Sequence, residues 1–179
     1  VVRELTPIEI RTVVDEFISS ISADCQKSNI TFLTPQYNGV LLFTRPMHSS
    51  EWSSILFNFY TNSKKAIYRK GEKGIIGIEC GVSEKMIYLE FSDNGIGIPE
   101  EYEERIFDEF FTTTSAMNYE DIDSVNAVLG TGLGLKIVKD IVESYKGRIF
   151  VTSPKNQFNT CIRVEIPMLD DKDFEKYGL

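Results

Sequence analysis

Histidine is almost missing from this chain: His48 is the only one among 179 residues. Cysteine is nearly as sparse, with Cys25, Cys80 and Cys161 far apart and odd in number. No CxxC pair and no His/Cys spacing suits zinc, and a scattered odd set is no disulfide framework. The thiols read as buried, reduced fillers, because a free cysteine behaves as a small hydrophobe. That fits a cytoplasmic setting. Long apolar runs are lacking too: none approaches the ~18–20 residues of a membrane span, and no basic-then-apolar leader opens the chain. The first residue is Val1 rather than Met, so further sequence is expected upstream. Positive charge is scarce, with 19 Lys and Arg against 27 Asp and Glu, a net charge of −8. Nucleic acid and anionic lipid would be repelled at long range, so neither is an expected partner. An anionic ligand must be held by local donors and a metal.

What is present suits a folded protein. Hydrophobic residues at 42% and charged residues at 26% are ordinary for a globular domain. The length allows one domain over 1–179, with a core over about 7–167 and a charged tail, 168–179, expected to fray. Behind Pro7, the residues Ile8, Val13, Val14, Phe17, Ile18 and Ile21 recur at helical spacing, with Thr6 as N-cap. Short strands are expected near Asn29–Leu33 and Gly39–Phe43, then a helix from about Ser49 to Tyr68 that buries Ile55, Leu56, Phe59 and Ala66. The β-rich runs Ile75–Cys80 and Met86–Ser92 make a hairpin linked by residues 81–85. A short acidic helix is expected over Glu100–Ile106. Leu135, Val138, Ile141, Val142 and Tyr145 stripe a third main helix ending near Gly147. Arg148–Ser153 and Thr160–Ile166 pair antiparallel. Thr112–Leu129 is polar and without periodicity, and loops of this length are usually lids or disordered. Three main helices on one face of a mixed, mostly antiparallel sheet give an α+β two-layer sandwich.

Two glycine clusters carry the chemistry: Asp93-Asn94-Gly95-Ile96-Gly97-Ile98 and Gly130-Thr131-Gly132-Leu133-Gly134-Leu135. Such loops let backbone approach a base or phosphate closely. The second opens a helix, whose N–H groups and dipole seat a phosphate without help from lysine. Its spacing is not the dinucleotide fingerprint, and no acidic ribose ligand follows. Asp93 follows a strand, and its carboxylate can accept from an exocyclic amine such as adenine's; Asp-Asn-Gly is equally a plain turn signal. Asn58, Asn62 and Lys65 share one helix face. An amide oxygen suits Mg²⁺ and the lysine would reach a phosphate, although a solvated polar face is the other reading of these three. Together the features point to an ATP pocket built without a Walker loop.

In the order Asn58…Asn62…Lys65, Asp93–Gly97, Phe107-Asp108-Glu109-Phe110-Phe111 and Gly130–Leu135, the chain resembles the catalytic, ATP-binding domain of sensor histidine kinases. That domain has the Bergerat fold and shares a superfamily with gyrase, heat-shock chaperone ATPases and mismatch-repair ATPases. The resemblance runs from about Pro7 to Pro167. It implies Asn62 as the Mg²⁺ ligand, with Asn58 beside it and Lys65 near the phosphates, both supporting phosphoryl transfer; no general base is assigned. It implies Asp93 for adenine recognition and Gly97 as the residue that admits the base, with Gly95 and Ile98 in the same site. Gly130, Thr131, Gly132, Leu133, Gly134 and Leu135 would line the triphosphate, and Thr112–Leu129 would form the ATP lid. Thr160, in Asn159-Thr160-Cys161-Ile162, would help hold adenine through water.

Position 58 separates two branches of that superfamily. Members that hydrolyse ATP resemble one another in carrying Glu four residues before the metal-binding Asn; an amide such as Asn58 cannot serve as a general base. The Phe107–Phe111 motif is characteristic of the kinase branch. Three departures accompany the match. His48 stands where Asp is usual and lacks a His-Glu or His-Asp setting. The lid has Glu120, Asp121 and Asp123 as its only charges, where related kinases often have a basic residue. Asn159 replaces a glycine, a mild change because Asn tolerates left-handed backbone. The implied function is a protein histidine kinase catalytic domain in two-component signalling. It would use Mg-ATP to phosphorylate a histidine on an upstream dimerisation domain and so feed a response regulator. The full-length protein would be a homodimer and this segment a cytoplasmic portion without membrane contact. The alternatives are an ATPase that drives a conformational clamp and a degenerate nucleotide-binding module.

Overall fold

The computed structural model describes residues 5–111 and 133–179. Helix α1 (Ile10–Lys27) buries Ile10, Val14, Phe17, Ile21 and Cys25, the three- and four-residue spacing of one helix face. Its cap is Glu9, whose carboxylate accepts from the Thr12 N–H at 2.8 Å, and not Thr6. Thr6 exchanges both backbone hydrogen bonds with Met47, at 3.2 and 2.9 Å, and a residue committed to that extended pairing cannot open a helix. Helix α2 (Ser49–Lys70) buries Trp52, Ile55, Leu56, Phe59, Tyr60, Ser63 and Ile67. Its apolar stripe passes through Ser63 and Ile67, leaving Ala66 half-buried. Gly71, at φ 75°, ends the helix in a left-handed cap that glycine adopts without strain.

The sheet comprises β1 (Ile30–Phe32), β2 (Gln36–Asn38), β3 (Gly74–Ser83), β4 (Met86–Asp93), β5 (Arg148–Thr152) and β6 (Thr160–Pro167). Its order is β1-β3-β4-β6-β5, with β2 also on β3. Strands β1 and β2 run parallel to β3; the remaining pairs are antiparallel. Between β1 and β2 the edge is interrupted at Thr34-Pro35, where proline has no N–H to give to a ladder. The strand expected over Gly39–Phe43 is therefore placed earlier, at Gln36–Asn38. Phe43 and Thr44 instead make isolated bridges to Glu9 and Met168. The β3–β4 link is a two-residue turn, with Ser83 opposite Met86 and Glu84 and Lys85 at φ 50° and 64°. That geometry matches the twist of the strands.

The acidic helix expected over Glu100–Ile106 is two separate single turns, Glu100–Tyr102 and Arg105–Phe107. Glu100, Glu101, Glu103 and Glu104 place like charges three and four residues apart, which opposes a continuous α-helix. Helix α3 (Gly134–Ser144) buries Val138 and Val142. The residues expected to fray form helix α4 (Asp171–Tyr177), closed by a reciprocal capping box between Asp170 and Asp173. Two features hold it. Leu169 is 2% exposed, and Asp173 pairs with Arg45 at 3.3 Å.

Buried residues of α1, α2, α3 and the sheet form one cluster. Along β3, Ile76, Ile78 and Cys80 face it, and along β4, Ile87, Leu89 and Phe91 do so. The intervening residues, Glu79 and Glu90 among them, take the other face because strand side chains alternate. The architecture is the expected α+β two-layer sandwich. No described helix is long and apolar enough to cross a membrane.

Candidate functional site

Asp93 is the last residue of β4 and stands opposite Thr160, the first residue of β6, in the antiparallel register. It is 4% exposed. Its Oδ2 accepts from the Ser63 hydroxyl at 2.7 Å and its Oδ1 from the Gly95 N–H at 2.8 Å. Burial raises the carboxyl above its ordinary pKa, while the Ser63 and Gly95 hydrogen bonds pull it back down. A carboxylate buried this way gains from one more donor. Thr160 lies beside it with its Oγ1 buried and, among the described residues, without a hydrogen-bond partner. Two polar groups thus meet where β4 and β6 both emerge from the sheet.

The loop after Asp93 is pressed against α2. A Cβ on Gly95 would lie 2.6 Å from the Ala66 carbonyl carbon, and the Ile96 N–H donates to the Ala66 carbonyl at 3.2 Å. Gly97 has φ 82° and faces the Asn159 carbonyl, so both the conformation and the space favour glycine there. Ile98 follows, partly buried against the core.

On α2, Asn58 spends its amide on the helix itself, donating to the Ser54 carbonyl at 2.8 Å. Its Oδ1 then faces α3, where a Cβ on Gly134 would lie 2.8 Å away. Asn62, one turn on, has its Nδ2 buried without a hydrogen-bond partner among the described residues. Lys65 is half-buried; burial and then the charge of Arg69 lower its ammonium pKa. Leu133 caps α3 and Leu135 packs against the core. The α2 face, the Asp93 loop, the start of β6 and the start of α3 therefore gather in one region. Gly130, Thr131, Gly132 and the Thr112–Leu129 lid lie outside the described residues.

Ser63 was not singled out by sequence, and Ala66 was expected only as a core position. Ser63 is the one hydroxyl on the stripe Phe59, Ser63, Ile67, and a polar residue at a core position needs a partner. That signal was available. Ala66 contributes through its backbone carbonyl, for which no side-chain signal exists.

The sequence model of one family, described as histidine kinase-, DNA gyrase B- and HSP90-like ATPase, matches residues 48–170. The chain belongs to this family. A sensor protein kinase, WalK of Staphylococcus haemolyticus, is 35% identical over 130 residues, which is 69% of this chain and 19% of that protein. The chain thus spans about a fifth of the length of that relative. The catalytic domain of histidine kinase ThkA superimposes with a TM-score of 0.72 at 26% identity, over 93% of this chain and 97% of that one. The same kinase in complex with the response regulator protein TrrA superimposes with a TM-score of 0.67 at 24% identity, over 92% of this chain and 42% of that one. The family is an ATP-binding one; in this chain the residues gathered above lie on the α2 face, at the end of β4 and at the start of α3.

Proposed function

We propose that this domain binds Mg-ATP and passes the γ-phosphoryl group to a histidine on a dimerisation domain of the same protein, in a cytoplasmic kinase that feeds a response regulator. The observation that carries this reading is Asn58. Its amide nitrogen is fixed on Ser54, its oxygen is turned toward Gly134, and an amide cannot deprotonate water. A site without a general base on α2 protects ATP from hydrolysis while leaving it free to donate to a better nucleophile. Phosphoryl transfer asks the protein for positioning and charge stabilisation rather than covalent chemistry.

The residues divide the ligand among them. Asp93 accepts from the adenine amine, Gly97 leaves room for the base plane, and Thr160 Oγ1 offers its unpartnered hydroxyl to a bridging water. The start of α3 at Leu133, Gly134 and Leu135 would offer its N–H groups and helix dipole to the phosphates. Lys65 supplies the positive charge.

The donor set suits a nucleotide-borne magnesium ion. Mg²⁺ binds through one or two protein oxygens together with phosphates and waters, not an all-protein cage. Among the described residues no group of three or more His, Cys, Asp or Glu could form such a cage. The Asn62 amide would hold the ion through its oxygen; its Nδ2 is buried with no hydrogen-bond partner among the described residues, so nothing there ties the amide to another orientation. Bound there, Mg²⁺ neutralises phosphate charge.

The test supplies γ-labelled Mg-ATP and a separate histidine-containing dimerisation domain. Label should move to the histidine as an acid-labile phosphoramidate, and the domain alone should scarcely hydrolyse ATP. Steady hydrolysis without transfer would favour the clamp ATPase, and neither activity would favour a binding-only module.

A further inference from the structure

The segment that follows Asp93 is held from three sides. Toward β3, the Asn94 side chain accepts from the Ile75 N–H at 2.7 Å and donates to the Lys73 carbonyl at 2.9 Å. Toward α2, the Ala66 carbonyl holds the Ile96 N–H. Toward β6, the hydrogen bonds among the described residues come from Asn159. The Asn159 N–H donates to the Asp93 carbonyl at 2.8 Å. Its side-chain Nδ2 donates to the Asn94 carbonyl at 3.2 Å and to the Gly95 carbonyl at 2.9 Å. An amide NH₂ has two protons and here meets two carbonyls, so both are used.

Asn159 is itself anchored. The preceding residue, Phe158, lies over β3 where a Cβ on Gly77 would come within 2.7 Å of its ring. The β5–β6 hairpin tip is thereby pinned to the sheet. This fixes the Cα of Asn159 and aims its side chain back at the loop. The Asn159 carbonyl also walls the space beside Gly97, 3.3 Å from where a Cβ there would sit.

We propose that Asn159 is a positioning residue for base selection: its side chain clasps the Asn94 and Gly95 carbonyls and so fixes the Asp93 carboxylate at the distance that accepts an adenine amine. A glycine, which has no side-chain donor, leaves this side of the loop with the backbone bond alone. The clasp acts on the base end of the nucleotide and does not touch the phosphate end. Guanine presents a carbonyl where adenine presents its amine, and a rigid carboxylate rejects it by repulsion; a loosened one yields. This inference rests on the ATP reading above.

The test measures dissociation constants for Mg-ATP and Mg-GTP by calorimetry with the wild-type chain, Asn159→Gly and Asn159→Asp. It also measures amide exchange at Gly95 and Ile96 without nucleotide, and melting temperatures. Two partly exposed hydrogen bonds predict that Asn159→Gly weakens ATP between about three- and ten-fold, while GTP affinity holds or rises, so the ATP/GTP preference falls. Asn159→Asp, which turns a carboxylate toward two carbonyls, should weaken ATP further. In both variants the Gly95 and Ile96 amides should exchange faster while the rest of the sheet stays protected. Equal loss of ATP and GTP would mean a general structural role and would overturn the inference. So would wild-type ATP affinity in both variants. A wild-type chain that binds no nucleotide would overturn the proposed function itself, an outcome distinct from either.

Discussion

Gly134, the first residue of α3, packs so closely on Asn58 of α2 that a Cβ on it would lie 2.8 Å from the Asn58 Oδ1. The amide cannot swing away freely, because its nitrogen is bound to the Ser54 carbonyl at 2.8 Å. This contact sets the distance between the polar face of α2 and the helix start assigned to the phosphates.

Gly134→Ala should therefore push α3 from α2. We expect Mg-ATP affinity to fall about ten-fold or more, with a stability loss of about 1–3 kcal/mol from overpacking. In an Asn58→Ala background the same substitution should cost much less, since its obstacle is gone. A double-mutant cycle read by calorimetry and urea unfolding checks this coupling.

Gly95→Ala meets a harder obstacle, the backbone of Ala66 at 2.6 Å. Neither side can relax by rotating a side chain, so the loop or the helix must move. The expected loss of stability is about 2 kcal/mol or more, at the upper end of overpacking penalties, and ATP binding should disappear with it. Thermal unfolding and nucleotide titration of one sample measure both.

Asp93 ties pH to stability. Burial raises its folded pKa above the ordinary value of 3.8, so the folded state holds the proton more tightly than the unfolded chain. This contribution is fully present below the unfolded pKa and is lost as pH rises through the raised folded value. Compared with Asp93→Asn, the wild-type protein should lose relative stability as pH climbs from about 4. Ser63→Ala removes a donor that favours the carboxylate, so its window of loss should extend to higher pH. At neutral pH that variant should be about 1–3 kcal/mol less stable for the unpartnered oxygen. Urea unfolding of the three proteins across pH reads each sign.

On the face opposite the helices, Arg163 stands between two buried acids, 3.8 Å from Glu90 and 3.6 Å from Glu165, and its guanidinium lies 4.1 Å from the Tyr88 ring centroid. Glu90 and Glu165 are 6% and 4% exposed. Arg163→Met should destabilise the domain by about 2–4 kcal/mol, because it leaves buried carboxylates with fewer partners. Lys155 and Arg148 partly compensate, which keeps the loss below that of an isolated buried pair. Denaturant midpoints in low and moderate salt provide the measurement.

Much of this molecule was legible in one dimension. The apolar stripe of α2 and the β3–β4 hairpin follow from side-chain period alone, since a helix repeats every 3.6 residues and a strand every two. The ordered motifs Asn58…Asn62…Lys65, Asp93–Gly97 and Gly130–Leu135 carried the family resemblance. Periodicity fails where pairing overrides propensity. Thr6 looked like a cap, but its backbone is held by Met47. The charged last dozen residues looked frayed, but Leu169 is buried beside them and a capping box closes their helix.

By itself the sequence determined which elements form, which faces are apolar and which residue types could meet a nucleotide, because those are properties of neighbours along the chain. Only the tertiary structure decided that Ser63 holds Asp93 from 30 positions away, that Asn159 reaches back 64 positions to the Gly95 carbonyl, and that Gly134 abuts Asn58. Burial patterns say that a face is covered but not by what. The partner is chosen by packing, where a hydrogen bond that must be made in a dry interior and a gap too small for a methyl group leave only one arrangement.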